Sequence, residues 1–165
     1  MNRVLNPDCG DRLCCRRYLP AQTADMPRYL LILSLLFSAC SESTIDTVPG
    51  RWYTAAQVEK GSGLYQQYCA VCHAADGSAT AEWRTPGEDG NYPPPPLNGS
   101  AHTWHHPSEM LDQTIANGGI EFGGVMPGFA AVLDQEERLA IIAWFQSLWC
   151  DEIYERWRQI DERDQ

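Results

Sequence analysis

Basic residues are scarce in this sequence. The 165 residues include 12 Lys and Arg but 22 Asp and Glu, which gives a formal net charge of −10. A nucleic-acid-binding protein needs a basic face, so this balance argues against nucleic acid as a partner. Cysteine is also sparse, because seven unevenly spaced residues are too few for a small disulfide-stabilised scaffold. With 44% hydrophobic residues at this length, we expect one ordinary folded domain with a tail.

Long apolar runs are also missing. The longest run, Tyr29–Cys40, has 12 residues, whereas a membrane-spanning helix needs about 20. Its length and the preceding Arg28 are typical of a signal peptide. Its end, Phe37-Ser-Ala-Cys40, resembles a bacterial lipobox. This predicts export and a lipid on Cys40 that anchors the protein to the periplasmic side of a bacterial membrane. The alternative is an ordinary secretory signal that is cleaved nearby.

The segment before the apolar run has no hydrophobic periodicity. We interpret residues 1–25 as a misassigned N-terminal extension and Met26 as the true start. Residues 26–39 are then the signal peptide, and residues 40–52 form a lipid-anchored linker. The domain that carries the function is predicted to span residues 53–150.

The motif Cys69-Ala-Val-Cys72-His73 carries the chemistry of that domain. The spacing Cys-x-x-Cys-His is the attachment signature of c-type haem. Two thiols three residues apart lie on one side of a helical turn, where each can form a thioether with a haem vinyl group. The adjacent His73 then supplies a ring nitrogen to the iron. The alternatives are a thioredoxin-like dithiol, half of a zinc site and a structural disulfide.

Three segments carry helix-boundary signals. Thr54-Ala-Ala-Gln57 and Asp134-Gln-Glu-Glu137 are capping boxes, which mark helix starts. Pro107–Gly118 is predicted to form a helix with proline in its first position and glycine at its end. Met110 lies within this helix, where we expect it to serve packing.

From Tyr53 to Trp149 the chain resembles a class I c-type cytochrome. In that family a glycine and an aromatic residue, here Gly61 and Tyr65, let the first and last helices cross closely. Ile141 and Trp144 match the positions that meet them on the last helix. The resemblance implies an all-α fold, the cytochrome c fold, with three to five helices around one covalently bound haem c.

The iron needs a sixth ligand or an open site. Met126 stands in Gly123-Gly-Val-Met-Pro-Gly-Phe129, where the proline fixes an extended backbone and excludes a helix. This segment matches the Met-Pro loop of the family, so the resemblance implies that Met126 is the ligand. The alternative is a histidine from the group His102, His105 and His106.

The proline run before Leu97 also matches the family, whose Pro-x-Leu-x-Gly pattern corresponds to Pro95, Leu97 and Gly99. In that family the proline carbonyl accepts a hydrogen bond from the second ring nitrogen of the haem histidine, and such a bond fixes the orientation of the ring. The alternative is a stiff polyproline linker. Residues 78–92, which separate the motif from this run, are predicted to form an acidic surface loop.

The stretch His102-Thr-Trp104-His105-His106 is unusual for a small cytochrome. We interpret Trp104 as a haem-binding residue, because indole and imidazole N–H groups can donate to the haem propionates. His106 is a candidate cap for the helix that follows. A copper site formed by the three imidazoles is the alternative.

The resemblance implies one-electron transfer between a redox donor and a redox acceptor. With His73 and Met126 on both axial sites, no substrate reaches the iron, so the chain is not expected to be an enzyme or to bind a small-molecule substrate. A methionine ligand raises the potential compared with a second histidine. Two alternatives are a haem c subunit of a larger oxidoreductase complex, and a haem-based sensor or catalyst from which Met126 dissociates.

The C-terminal tail, residues 151–165, carries an apolar stripe. Ile153, Trp157 and Ile160 recur at helical spacing. Either the last helix continues and this stripe covers its own domain, or the stripe docks on a partner or a second copy. Cys150 is left over from the haem and lipid assignments, and in an oxidising compartment such a cysteine is either buried or paired between chains.

Overall fold

A computed structural model describes residues 46–164. The fold is all-α, with five helices: α1 Ala55–Tyr68, α2 Ala70–His73, α3 Ser108–Asn117, α4 Gln135–Gln146 and α5 Asp151–Asp164. Two 3₁₀ turns, His102–His105 and Ile120–Phe122, stand on either side of α3. Between residues 46 and 164 there is no strand, only two isolated β-bridges. The expected all-α fold with three to five helices is confirmed.

The predicted extension, the signal peptide and Cys40 lie outside the described residues. None of the helices within residues 46–164 is long and apolar enough to cross a membrane.

The core is built on the crossing of α1 and α4. A β-carbon placed on Gly61 would stand 1.8 Å from the carbonyl oxygen of Ala140 and 3.1 Å from the amide nitrogen of Ile141. One turn further along α1, the ring of Tyr65 packs against that of Trp144, with centroids 3.9 Å apart. The predicted close crossing of the first helix with α4 is therefore observed, and glycine is required because backbone meets backbone.

Both predicted capping boxes form. The Thr54 hydroxyl accepts a hydrogen bond from the Gln57 amide, and the Gln57 side chain accepts one from the Thr54 amide. Asp134 and Glu137 make the same reciprocal pair at the start of α4. These bonds satisfy amides that have no partner within the helix, which fixes where α1 and α4 begin.

The third helix differs from its prediction in three details. Pro107 is the N-cap residue just before the helix rather than its first residue. Met110 is 48% exposed, so it does not pack in the core as expected. The helix start is not capped by His106 either, because the Ser108 amide donates to the Asp161 carboxylate of α5 at 2.6 Å. A buried ion pair joins this helix to α4: both carboxylate oxygens of Asp112 accept from the Arg138 guanidinium, at 2.7 and 3.1 Å.

The C-terminal tail is a helix of its own rather than a continuation of α4. The chain leaves α4 at Gln146 and begins α5 at Asp151. Tyr154 and Trp157 are each 2% exposed within the domain. The indole of Trp157 donates to the His106 carbonyl at 3.1 Å. The stripe therefore covers its own domain, and the interpretation that Trp157 docks on a partner is wrong.

The segment before α1 is fastened to the C-terminal half of the chain. The Trp52 indole donates to the Gln146 side chain at 2.6 Å, and its amide donates to the Tyr154 hydroxyl at 3.1 Å. Arg51 pairs with Asp151 at 2.5 Å. Residues 46–52 were expected to belong to a linker, but Arg51 and Trp52 are packed on the domain. Cys150 lies beside this junction; it is 7% exposed and disulfide-bonded.

Candidate haem site

The Cys-x-x-Cys-His motif forms one tight helical turn after α1. The amides of Cys72 and His73 both donate to the Cys69 carbonyl, at 3.1 and 2.9 Å. Cys69 is buried, Cys72 is exposed, and both thiols are free. The structural-disulfide interpretation is therefore wrong for this pair. Burial raises the pKa of the Cys69 thiol to about 11, the reverse of the low thiol pKa that redox dithiols use.

The Tyr65 hydroxyl holds the end of this turn. It donates towards the His73 and Ala74 carbonyls, at 3.2 and 2.9 Å. Ala74 has a φ of 61°, which turns the chain sharply out of α2. Tyr65 thus serves two purposes, because its ring packs in the helix crossing and its hydroxyl orients the histidine turn. The spacing of Tyr65 from the motif indicated the first purpose and not the second.

His73 is buried and its ring has a fixed orientation. It is 7% exposed, and its Nδ1 lies 2.9 Å from the Pro95 carbonyl oxygen. A carbonyl only accepts hydrogen bonds, so Nδ1 carries the proton and the lone pair is on Nε2. Burial lowers the pKa of His73, although the Pro95 bond opposes this, so the ring is neutral at pH 7. A neutral imidazole with its other nitrogen hydrogen-bonded to a carbonyl is the usual state of a metal-ligating histidine.

The proline run is held in place beside this turn. The Leu97 amide donates to the Gly77 carbonyl at 2.7 Å, and the Leu97 carbonyl accepts from the Trp149 indole at 2.8 Å. Thr103 donates its hydroxyl to the Pro96 carbonyl at 2.9 Å. These bonds fix the two residues that follow Pro95 to the domain, so the interpretation as a stiff polyproline linker is wrong.

Met126 lies in an irregular loop, as predicted, and the loop is held against the end of α3. Its carbonyl accepts from the Gly119 amide at 2.9 Å, and the Phe129 amide donates to the Ile115 carbonyl at 2.9 Å. Gly128 is required here, because a β-carbon would stand 2.7 Å from the Ala116 carbonyl oxygen. The side chain of Met126 is partly buried against the core. A soft thioether is thus fixed at one place in the fold.

Residues 56–145 match a protein family described as "Cytochrome C oxidase, cbb3-type, subunit III". The chain belongs to this family. No curated protein and no solved structure matches it. As a c-type cytochrome domain, the protein carries one covalently bound haem c with its iron.

The side chains present fit this cofactor. Two free thiols on one helical turn provide the thioether attachment points, and the adjacent His73 offers Nε2 with its lone pair. Imidazole and thioether are both established haem-iron ligands. Within residues 46–164, no three His, Cys, Asp or Glu side chains form a group that could hold a metal ion, so the structure shows no copper site of three imidazoles there.

The histidine-rich stretch of the cytochrome forms an aromatic cluster. His102 stacks on Trp83 with centroids 4.5 Å apart, and its edge meets the ring of His106 at 5.3 Å. Trp104 packs on His105 at 3.8 Å. The Arg156 guanidinium of α5 lies 5.9 Å from the centroid of Trp104. Trp104 therefore connects the 3₁₀ turn to which it belongs with α5, and its contact with haem stays a prediction.

The long insert is an exposed loop without helix, as predicted. Glu82, Glu88 and Asp89 are exposed in it. Two points tie this loop to the cytochrome: Trp83 stacks on His102, and Tyr92 forms a β-bridge with Gly124. Neither contact could be predicted from the sequence, because each joins residues that are distant along the chain.

Proposed function

We propose that this cytochrome is a one-electron carrier whose haem iron is held by His73 and Met126. Haem c, when bound, supplies the ferric–ferrous couple. The observation that carries the proposal is the 2.9 Å hydrogen bond between the His73 ring and the Pro95 carbonyl. This bond presets the ring tautomer and its orientation, and it makes Nε2 the more basic ligand.

We propose Met126 as the second iron ligand because backbone hydrogen bonds hold its loop in place. Met126 is partly buried, and backbone hydrogen bonds to α3 hold both its own carbonyl and the nearby Phe129. A ligand on a fixed loop stays in place when the iron changes charge, which suits a carrier. If His73 and Met126 both hold the iron, no substrate could reach it, so the carrier itself would not be an enzyme. The donor and acceptor are then other redox proteins.

The matched variants Met126→Ala and Met110→Ala test this ligand. Met110 is the control because it is 48% exposed on α3. In the reduced holoprotein, Met126→Ala should open the iron to CO, whereas the wild type and Met110→Ala should bind CO poorly. The ferric wild type should also show the near-infrared band of Met–iron ligation, which Met126→Ala should lose.

Two results would contradict the assignment. If Met126→Ala keeps both the band and the low CO affinity, another residue is the ligand, and His102, His105 and His106 are tested next. If the wild type already binds CO readily, the Met ligand dissociates, and the alternative of a haem-based sensor or catalyst replaces the carrier.

Attachment is proposed through Cys69 and Cys72. Changing both residues to Ala should abolish haem staining on a denaturing gel, because a haem without thioether bonds is lost on denaturation. As a control, Cys150→Ser should keep the stain. Staining that persists in the double variant would place the attachment elsewhere.

The site could also serve within a larger enzyme. The family description names a subunit of an oxidase, so a haem c subunit docked permanently to an oxidoreductase complex is the second candidate. Purification from native membranes in mild detergent distinguishes the two. A carrier should separate as a single chain, whereas a subunit should remain with a complex that keeps its stoichiometry through two different columns.

Location is proposed from the lipobox-like sequence: export, cleavage before Cys40 and a lipid anchor on the periplasmic side of the membrane. The variant Cys40→Ser should move the protein to the soluble or uncleaved fraction. An unmodified Cys40 within the mature chain, found by mass spectrometry, would contradict the anchor.

A further inference from the structure

A cleft of about 350 Å³ opens between the first 3₁₀ turn and α5, and neither of the proposed iron ligands, His73 and Met126, lines it. Residues 99–101, which follow shortly after Pro95, line part of it. The charged and ring-bearing residues that line it are Arg84, His102, Trp104, His105, Glu152 and Arg156. Its volume lies at the small end of the range of ligand pockets, about 300–1,000 Å³.

The charge of this cleft is opposite to that of the protein. The whole chain has 12 basic residues and a net charge of −10, yet Arg84, Arg156 and two of the four histidines meet here. The one carboxylate among the lining residues, Glu152, is already paired with Arg156 at 2.6 Å. Arg84 forms no ion pair with any of residues 46–164, and its guanidinium lies over Trp83, 4.6 Å from the ring centroid.

His102 adds a polar atom without a hydrogen-bond partner. Its Nδ1 is buried and makes no hydrogen bond. Trp83 stacks on the face of this ring and His106 meets its edge, which holds the ring in one plane. A buried polar atom without a partner is costly, and the His102 ring is among the groups that line the cleft, so a ring N–H is a candidate donor to a ligand there.

We propose that this cleft binds a small oxyanion, a carboxylate or a phosphate. Arg84 and Arg156 provide the positive charge, and the His102 ring, which lines the cleft, provides an N–H donor. Two sources share this chemistry: a free anion from solution, or a propionate group of the protein's own haem. The aromatic cluster then fixes the geometry of an anion site, and it need not bind a metal.

The test uses the holoprotein at constant ionic strength in chloride, with inorganic phosphate and citrate as probes. Binding is followed by calorimetry and by the NMR resonances of the His102 ring. We expect saturable binding that weakens at least tenfold in Arg84→Gln, in Arg156→Gln and in His102→Phe, which keeps a ring to stack on Trp83. Arg158→Gln is the matched control for Arg156→Gln, because Arg158 is also an ion-paired arginine on α5 but is not among the residues that line the cleft.

The pKa of His102 gives a second readout. Burial is the main cause that lowers this pKa, and the neighbouring His106, His105 and Arg84 lower it further. A bound oxyanion favours the imidazolium, so phosphate should raise the pKa of His102 in the wild type and in Arg158→Gln but not in Arg84→Gln.

The two sources give different results. A propionate in the cleft would exclude free phosphate and citrate, and Arg84→Gln would then change the pH dependence of the midpoint potential while Arg158→Gln would not. The proposal is overturned if the probes bind all variants equally. It is also overturned if they bind none and the potential varies with pH identically in the wild type, Arg84→Gln and Arg156→Gln. Neither result depends on whether Met126 is the iron ligand.

Discussion

Gly61 lies directly against the carbonyl group of Ala140, at the point where α1 crosses α4. A β-carbon at Gly61 would stand 1.8 Å from that oxygen and 2.4 Å from its carbon. Both groups are backbone, so no side chain can rotate to make room. The helices would have to separate, and the contact between Tyr65 and Trp144 would open with them.

Gly61→Ala should therefore destabilise the holoprotein severely. We expect the free energy of unfolding to fall by about 3 kcal/mol or more, since overpacking against backbone is relieved only by moving a helix. Gly63→Ala, on the same helix, is the control, because its β-carbon would meet nothing within 4 Å. That variant should be neutral or gain up to about 1 kcal/mol from helix propensity. Denaturant unfolding of both variants measures the difference, and equal values would contradict the crossing.

The Asp112–Arg138 pair should contribute far more than a surface pair. Both side chains are 12% exposed, and the contact is bidentate. Asp112→Ala leaves the guanidinium partly buried without its carboxylate, which should cost about 2 kcal/mol or more. Glu136→Ala removes the exposed partner of Lys60, at 77% side-chain exposure, and should change the unfolding free energy little. A similar loss of unfolding free energy in both variants would show that the Asp112–Arg138 pair contributes no more than a surface ion pair.

Truncation before α5 should prevent stable folding. Removal of residues 151–165 takes away Tyr154 and Trp157, both 2% exposed, and the carboxylate that caps α3. Trp157→Ala alone should cost about 3–5 kcal/mol. Trp157→Phe should cost less, because it loses mainly the hydrogen bond to the His106 carbonyl. Accumulation of the truncated protein with an unchanged haem spectrum would contradict the packing of α5.

Acid should weaken the fold through His102 and His106. Burial lowers the pKa of both residues in the folded protein. The unfolded chain therefore binds more protons as the pH falls through about 6.5, and the free energy of unfolding falls with it. Asp76 and Asp89 also have lowered pKa values, but these carboxylates lose their contribution only below about pH 4.

Melting temperatures measured in chloride between pH 8 and pH 5 test this prediction. The wild type should lose stability over that interval, and the double variant His102→Gln, His106→Gln should lose less of it. If the melting temperature of the double variant depends on pH as that of the wild type does, groups other than His102 and His106 cause the loss of stability in acid.

Much of the haem turn and the helix crossing could be predicted, because short-range patterns encode them. The capping boxes at Thr54 and Asp134 and the packing of Gly61 and Tyr65 follow from spacing within one helix and from the family resemblance. The Pro95 carbonyl was placed near His73 on the resemblance alone, and the structure has it there.

The contacts of α5 could not be predicted in the same way. Helical spacing shows that Trp157 lies on an apolar stripe, but it does not say which surface the stripe meets. The Asp161 carboxylate that caps Ser108 comes from 53 residues further along the chain, beyond any local capping signal. That Arg84 and Arg156 line the same cleft could not be predicted for the same reason, because Arg84 lies in a loop and Arg156 in a helix that is distant along the chain.

The attachment of Arg51 and Trp52 to the C-terminal half has a kinetic consequence. Their partners Asp151, Tyr154 and Gln146 are 100, 102 and 94 residues away along the chain. Contacts of such long range are slow to form, because the long chain between the partners must close into a loop first. Arg51 and Trp52 should therefore be among the last of residues 46–164 to reach their final positions.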